Sequence, residues 1–251
     1  MPKHQSIQVI TRAVSVLRAL EDEPGGLSLG QIGERVGLAR STVQRIVDAL
    51  RTEQFVISAS PTSGVRLGPA LIRLAASASV EFDQITRPII SALSQMIGET
   101  VDLSALKGSS VIFTDQIQGP HRLRAVSAIG ETFPLHCTAN GKAVLSVLPP
   151  DKAARLLRGA LPRLTRNTIT RRAELLKDIE TCRRTGIAVD DEEHTEGISA
   201  LGTGFIDPMG RAVALSIPVP TTRFRRIRPQ LGERLLDTRS RIIRALGLKA
   251  H

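Results

Sequence analysis

The feature that most constrains the fold is residues 28–50, SLGQIGERVGLARSTVQRIVDAL. It reads as two short amphipathic helices joined by a tight glycine turn. Ser28 is placed to cap the free amides of a first turn, and Gln31, three residues on, to reach back in a capping box. The inner face of that helix is then Leu29, Ile32 and Val36, and Gly37 follows where a helix end favours a residue tolerant of positive φ. Apolar positions resume at Val43, Ile46, Val47 and Leu50, the i, i+3, i+4, i+7 pattern of one buried face. At about 100° per residue, Ser41, Gln44, Arg45 and Asp48 lie opposite that stripe, flanked by Arg40, Thr42 and Arg51.

Taken alone, these residues fit either a helix-turn-helix or an ordinary solvated helical hairpin. Their neighbours favour the former. Residues 9–20 carry Ile10, Ala13, Val14, Leu17 and Leu20 at helical spacing, which predicts a preceding helix. After Leu50, residues 55–59 are β-prone, 61–64 supply turn residues and 65–67 return, which predicts a hairpin. Three helices and a hairpin make a winged helix. Its second helix fits a major groove, where Arg45 pairs with guanine and Gln44 with adenine. Ser41 and Thr42 suit phosphate contacts in the helix's first turn, with Arg40 and the wing's Arg66 adding charge toward the DNA backbone.

A chain of 251 residues holds two domains of ordinary size. Its net charge of +10 adds little to a DNA reading, because residues 1–80 carry nine Lys/Arg against six Asp/Glu, a net of +3. Two cysteines, Cys137 and Cys182, give neither a disulfide framework nor a CxxC metal pattern, and no apolar run approaches a membrane span. A cytoplasmic protein without a membrane segment or cofactor is expected. We divide it into a DNA-binding domain at 1–68, a linker helix at 69–82 and a second domain at 83–251.

The second domain begins with a helix at 85–97, in which Pro88 is tolerable only in the first turn. Strands are predicted at 100–106 and 110–117, with another at 123–128, then helices at 139–148, 151–158 and 171–185. Strands at 198–206 and 211–218 flank the turn Asp207–Gly210, and a last helix spans 229–246. Hairpins with grouped helices predict an α+β domain with an antiparallel sheet. Two segments are candidate ligand sites. PLHCTANGKAVL, from 134 to 145, runs into a helix N-terminus that suits a small carboxylate, although Thr138 or Asn140 could simply cap it. VDDEEHTEGIS, from 189 to 199, places four consecutive acids and His194 at a strand end, and a solvated acidic loop is its simpler reading. His136, His194 and Asp190 lack metal-ligand spacing.

These segments together resemble the IclR family of bacterial transcriptional regulators along nearly the whole chain. The likeness is carried by ITRAVSVLRAL, GLARSTVQRIVDAL, VRLGPALIRLA, GETVDLSAL, PLHCTANGKAVL, TITRRAELLKDIETCRRTGIAVDDEEHTEGISALG and FIDPMGRAVALSIPVP, in that order. The resemblance implies a winged helix, a linker helix and a GAF-like effector-binding domain, assembled as a homodimer or homotetramer on a double-stranded operator. The family's effector pocket maps onto Ala139, Asn140, Asp190, Ala200 and Ser216, walled by Phe133 and Leu135. Asn140, Ala200 and Gly204 depart from the residues common in relatives. With no Trp or Tyr in the chain, an aromatic effector could stack only on Phe, such as Phe113, Phe133 or Phe205. The expected function is a regulator of a catabolic operon, answering to a small effector such as a carboxylate or aromatic acid. The alternative is an enzyme fused to a helical module, with Cys137 as nucleophile and His136 or His194 nearby; adjacent residues seldom reach the convergent geometry this needs.

Overall fold

The computed structural model describes residues 8–21, 23–58 and 64–248, in two compact units divided after Val80. In the first, α1 (Gln8–Ala19), α2 (Leu29–Val36) and α3 (Arg40–Thr52) pack over Val16, Leu20, Ile32, Val43 and Val47. Two strands, β1 (Val56–Ser58) and β2 (Val65–Leu67), pair antiparallel, and Leu27 bridges to Val65. Ser28 Oγ accepts from the Gln31 amide at 3.3 Å while the Ser28 amide donates to Gln31 Oε1 at 2.9 Å, completing the capping box. Gly37 ends α2 at φ 66°. The first helix differs from its sequence pattern: Val16 and Leu20 carry its burial, whereas Val9, Ile10 and Val14 are exposed. Only the C-terminal half of α1 meets the core. The turn expected at 61–64 falls mostly outside the described residues.

The second unit is a six-stranded antiparallel sheet in the order β5-β4-β3-β8-β7-β6. Its strands are β3 (Val101–Lys107), β4 (Ser110–Ile117), β5 (Thr132–Pro134), β6 (Ala188–Asp191), β7 (Ile198–Ile206) and β8 (Ala212–Pro220). Strand alternation explains how both faces are covered. Odd positions Val101, Leu103, Leu201, Phe205, Val213, Leu215 and Ile217 pack with α4 (Pro69–Ile97) and α8 (Thr221–Ala245) in one core. Even positions Ala212 and Ala214 pack instead with α5 (Ala139–Val147), α6 (Pro150–Leu156) and α7 (Arg172–Thr185). The α5 face is built from small residues for a physical reason. A Cβ on Gly202 would lie 2.5 Å from the Ala139 carbonyl oxygen and one on Gly204 2.3 Å from that of Ala143, so α5 sits directly on β7.

Three sequence expectations are corrected. Residues 123–128 form no strand; the edge strand beside β4 is β5. Pro88 does not open a helix but lies inside α4, and α8 starts at Thr221 with Pro229 in its interior. A proline in a helix interior costs about 3 kcal/mol, but burial on both sides outweighs it: Phe82, Thr86, Ile90 and Leu93 in α4, and Phe224, Leu231 and Leu235 in α8. The start of α8 is also pinned by Arg223, which grips both carboxylate oxygens of buried Glu99.

Candidate functional site

The first unit presents α3 as the candidate reading helix. In α3, Arg40, Ser41 and Arg45 are exposed and Thr42 and Gln44 half-buried. The N-cap is Ala39, so no side chain caps the first turn, although the Thr42 amide donates to the Ala39 carbonyl at 2.9 Å. A phosphate oxygen is the complementary partner for such a helix start. Arg45 makes no hydrogen bond or ion pair among the described residues. Gln44 differs: its Nε2 donates to both oxygens of Asp48 at 2.9 Å, and Asp48 also accepts from Arg51. To reach a base, Gln44 must leave Asp48. Arg66, on β2, is half-buried, its Nε is enclosed without a partner among the described residues, and Gly26 lies against its stem.

The second unit contains a cavity of about 190 Å³, and the way the sheet is built explains its lining. Asp102 on β3 stands directly opposite Ser216 on β8; Ala200 on β7 stands between Asp190 on β6 and Pro218 on β8. All five lie on the small-residue face, so the sheet forms a floor with two carboxyls on it. Thr138, Ala139 and Asn140 at the start of α5 form one wall. Thr138 Oγ1 accepts from the Gly141 amide at 3.1 Å, so Thr138 is the cap and Asn140 is free for another task. Asn140 Oδ1 accepts from the same amide, and its Nδ2 is buried with no partner among the described residues. The opposite wall is aromatic: Phe133 stacks on His194 at 4.3 Å between centroids, and Phe113 meets Phe133 edge-on at 4.9 Å.

The structure therefore brings Phe133, Ala139, Asn140, Asp190, Ala200 and Ser216 to one cavity. Leu135 is elsewhere. It belongs to the core under α5, held there because Gly141 passes so closely that a Cβ would lie 2.6 Å from the Leu135 Cα. Phe205 packs on the other face of the sheet. Asp102 and the stacked His194 were missed as lining residues. Asp102 is an acid in an apolar strand run, a pattern that signals a special position, but its facing partner Ser216 lies more than a hundred residues away.

Burial dominates the electrostatics here. Asp102 is 1 % exposed and its carboxyl is pushed up to about 7 by desolvation, partly offset by a hydrogen bond from Gln116 Nε2 at 2.7 Å. Asp190 is also raised to about 7 by burial, against the Glu193 amide donating to Oδ1 at 2.7 Å. Burial lowers His194. No Lys or Arg among the described lining residues balances these acids. The nearby Lys142, 1 % exposed, is committed to Glu193 at 2.6 Å and Asp178 at 2.7 Å. Desolvation opposes its charge, but those two carboxylates hold the ammonium above its ordinary range. Lys142 thereby ties α5 to α7 and to the turn after β6. That turn is strapped further by Thr165 and Thr168, whose hydroxyls donate to the Glu193 carbonyl, and it holds Glu192 at φ 60°.

The alternative nucleophile does not fit this chemistry. Cys137 is fully buried, and burial, with Asp190 and Glu193 adding repulsion, pushes its thiol up to about 12. His136 is occupied with the Pro162 carbonyl at 3.0 Å. No group of three metal-ligating side chains occurs among the described residues.

Comparison with known proteins accounts for both units. Residues 9–57 match the IclR helix-turn-helix domain, and residues 75–244 match the bacterial transcriptional regulator IclR C-terminal domain. The chain belongs to the IclR family. IclR relatives include the HTH-type transcriptional regulator Rv1719 of Mycobacterium tuberculosis, 47% identical over 94% of this chain and 91% of that protein. The HTH-type transcriptional regulator TtgV of Pseudomonas putida is 38% identical over 98% of this chain and 94% of its own length. Among solved structures, an IclR homolog from Microbacterium hydrocarbonoxydans complexed with 4-hydroxybenzoate shares the fold, with a TM-score of 0.61 and 22% identity over 95% of this chain and 99% of that one. As an IclR member the chain is a DNA-binding transcriptional regulator with a C-terminal effector-binding domain, and not an enzyme.

Proposed function

We propose that this regulator controls a catabolic operon from the cytoplasm, and that a small molecule in the cavity over Asp102 and Asp190 sets how tightly it holds its operator. The observation that carries the reading is the cavity itself: its walls and floor come from α5 and strands β3 to β8, and a buried donor, Asn140 Nδ2, stands there without a partner among the described residues. Unsatisfied buried polar groups are uncommon in native proteins and need a reason. The homolog solved with 4-hydroxybenzoate supports an effector of one-ring size. No described helix is long and apolar enough to cross a membrane.

On DNA, Arg45 and Gln44 read bases, while Arg40, Ser41, Thr42 and Arg66 position the helix on phosphates. The protein acts as a homodimer or homotetramer, with half-sites spaced by whole turns of about 34–36 Å. Exposed apolar residues on α1 (Val9, Ile10, Val14) and on α4 (Ile72, Leu74) supply faces for self-association. The test is operator binding by Arg45→Ala and Arg66→Ala, on a site selected from a random DNA pool. Arg45→Ala is expected to weaken the selected site by about 1–3 kcal/mol, and Arg66→Ala to lower the salt slope by about one. Equal loss on selected and random DNA removes Arg45 as a base reader.

A further inference from the structure

We propose that the cavity recognises an uncharged one-ring aromatic molecule bearing a hydroxyl group, and discriminates against the corresponding carboxylate. This rests on the effector reading above and names its ligand class. Size comes first. An apolar cavity of about 150 Å³ holds benzene, so about 190 Å³ holds one ring with one or two further heavy atoms. The shape of the lining follows. Phe133, backed by Phe113 and stacked on His194, offers an aromatic surface, and Ile198, Ala200 and Pro218 offer apolar contacts.

The polar groups decide the chemistry. A hydroxyl both donates and accepts. Asn140 Nδ2 is a buried donor without an acceptor, and the carboxyls of Asp102 and Asp190 are acceptors. Asp102 Oδ1 takes a hydrogen bond from Gln116, and Oδ2 makes none among the described residues. Ser216 sits directly across the strand pair from Asp102 and can accept or donate. A carboxylate ligand would bring a third acidic group beside two others. No lysine or arginine lines the cavity among the described residues, and the nearest ammonium, Lys142, already serves Glu193 and Asp178. An ammonium ligand only donates, so it would leave Asn140 Nδ2 without an acceptor.

Three probes of matched size separate these cases: benzyl alcohol, benzoate and benzylamine, titrated calorimetrically into the full-length protein at pH 8. Benzyl alcohol is expected to bind about tenfold or more tightly than either charged probe. In Asp102→Asn, which keeps the shape and removes the ionisable group, the gap between benzyl alcohol and benzoate is expected to narrow. Benzoate or benzylamine binding as tightly as the alcohol overturns the proposal, as does no binding of the alcohol up to its solubility limit. A parallel change of both affinities in Asp102→Asn overturns the role of that carboxyl. Operator binding distinguishes this failure from that of the effector reading. If benzoate binds tightest and shifts operator affinity, the ligand class falls while the reading stands. If the alcohol binds and operator affinity is unmoved, the class stands while the reading falls.

Discussion

The two working parts of this regulator are built in opposite ways. The candidate reading helix α3 is assembled from contiguous residues and turns Arg40, Ser41 and Arg45 to solvent. The cavity is assembled from strands β3 to β8 and the start of α5, is open to solvent on one side, and has a floor of buried carboxyls displaced toward neutrality by desolvation. An exposed charged face suits a partner whose phosphates attract it over a distance. A concave cavity with few converging polar groups suits a small partner chosen by fit and hydrogen bonding. The contrast implies that damage to the cavity is paid in stability, and damage to the helix in DNA affinity.

The strongest test of that contrast is Lys142→Met. It leaves Glu193 buried without its cation, and removing one partner of a buried ion pair costs about 3–5 kcal/mol. Asp178, about a third exposed, will relax toward water, so most of the loss comes from Glu193. Urea unfolding followed by circular dichroism should show a lower midpoint; a loss below about 1 kcal/mol would mean the ion pairs are not a structural tie.

The next test is pH. Both aspartates bind protons more tightly folded than unfolded, so their contribution is fully present below about pH 4. It is lost as pH rises through about 7. The slope over that window is about 1.4 kcal/mol per pH unit for each carboxyl. A double variant, Asp102→Asn with Asp190→Asn, should match the parent near pH 4 and exceed its stability at pH 8. Identical pH profiles would show that the two acids are not desolvated.

The smallest expected effect is in the first unit. Ser28→Ala removes a capping-box acceptor and should cost about 1 kcal/mol of stability, with Ser28→Gly costing a few tenths. The parent's ligand affinities should be retained. A change in ligand affinity as large as the change in stability would erase the division of labour between the two parts.

The same contrast governs what was legible in the sequence. The winged helix was readable because its signals are local: Ser28 and Gln31 cap α2, Gly37 ends it, and Val43 and Val47 repeat at helical spacing within one short segment. The antiparallel sheet was readable through turns such as Asp207–Gly210, where Asp207 Oδ1 accepts from the Met209 amide and Gly210 takes φ 74°. The resemblance to a family located most of the cavity. Asp102, Lys142 and the misplacement of Leu135 were not readable, because each depends on strand pairing or helix contact between distant residues. Pro88 and Pro229 misled for a related reason: local propensity marks them as boundaries, and tertiary burial of Ile90, Leu93, Phe224 and Leu231 overrides it.

The central claim is that occupancy of the cavity changes DNA affinity. Fluorescence anisotropy of a labelled selected site, with and without saturating benzyl alcohol, tests it directly in the parent and in Ala200→Leu, whose added atoms fill the floor between Asp190 and Pro218. The account predicts a shift in operator Kd in the parent, a reciprocal shift of the same factor in probe affinity when DNA is bound, and no shift in a folded Ala200→Leu. An operator Kd unmoved by bound probe in the parent, or a shift that survives in Ala200→Leu, would contradict it.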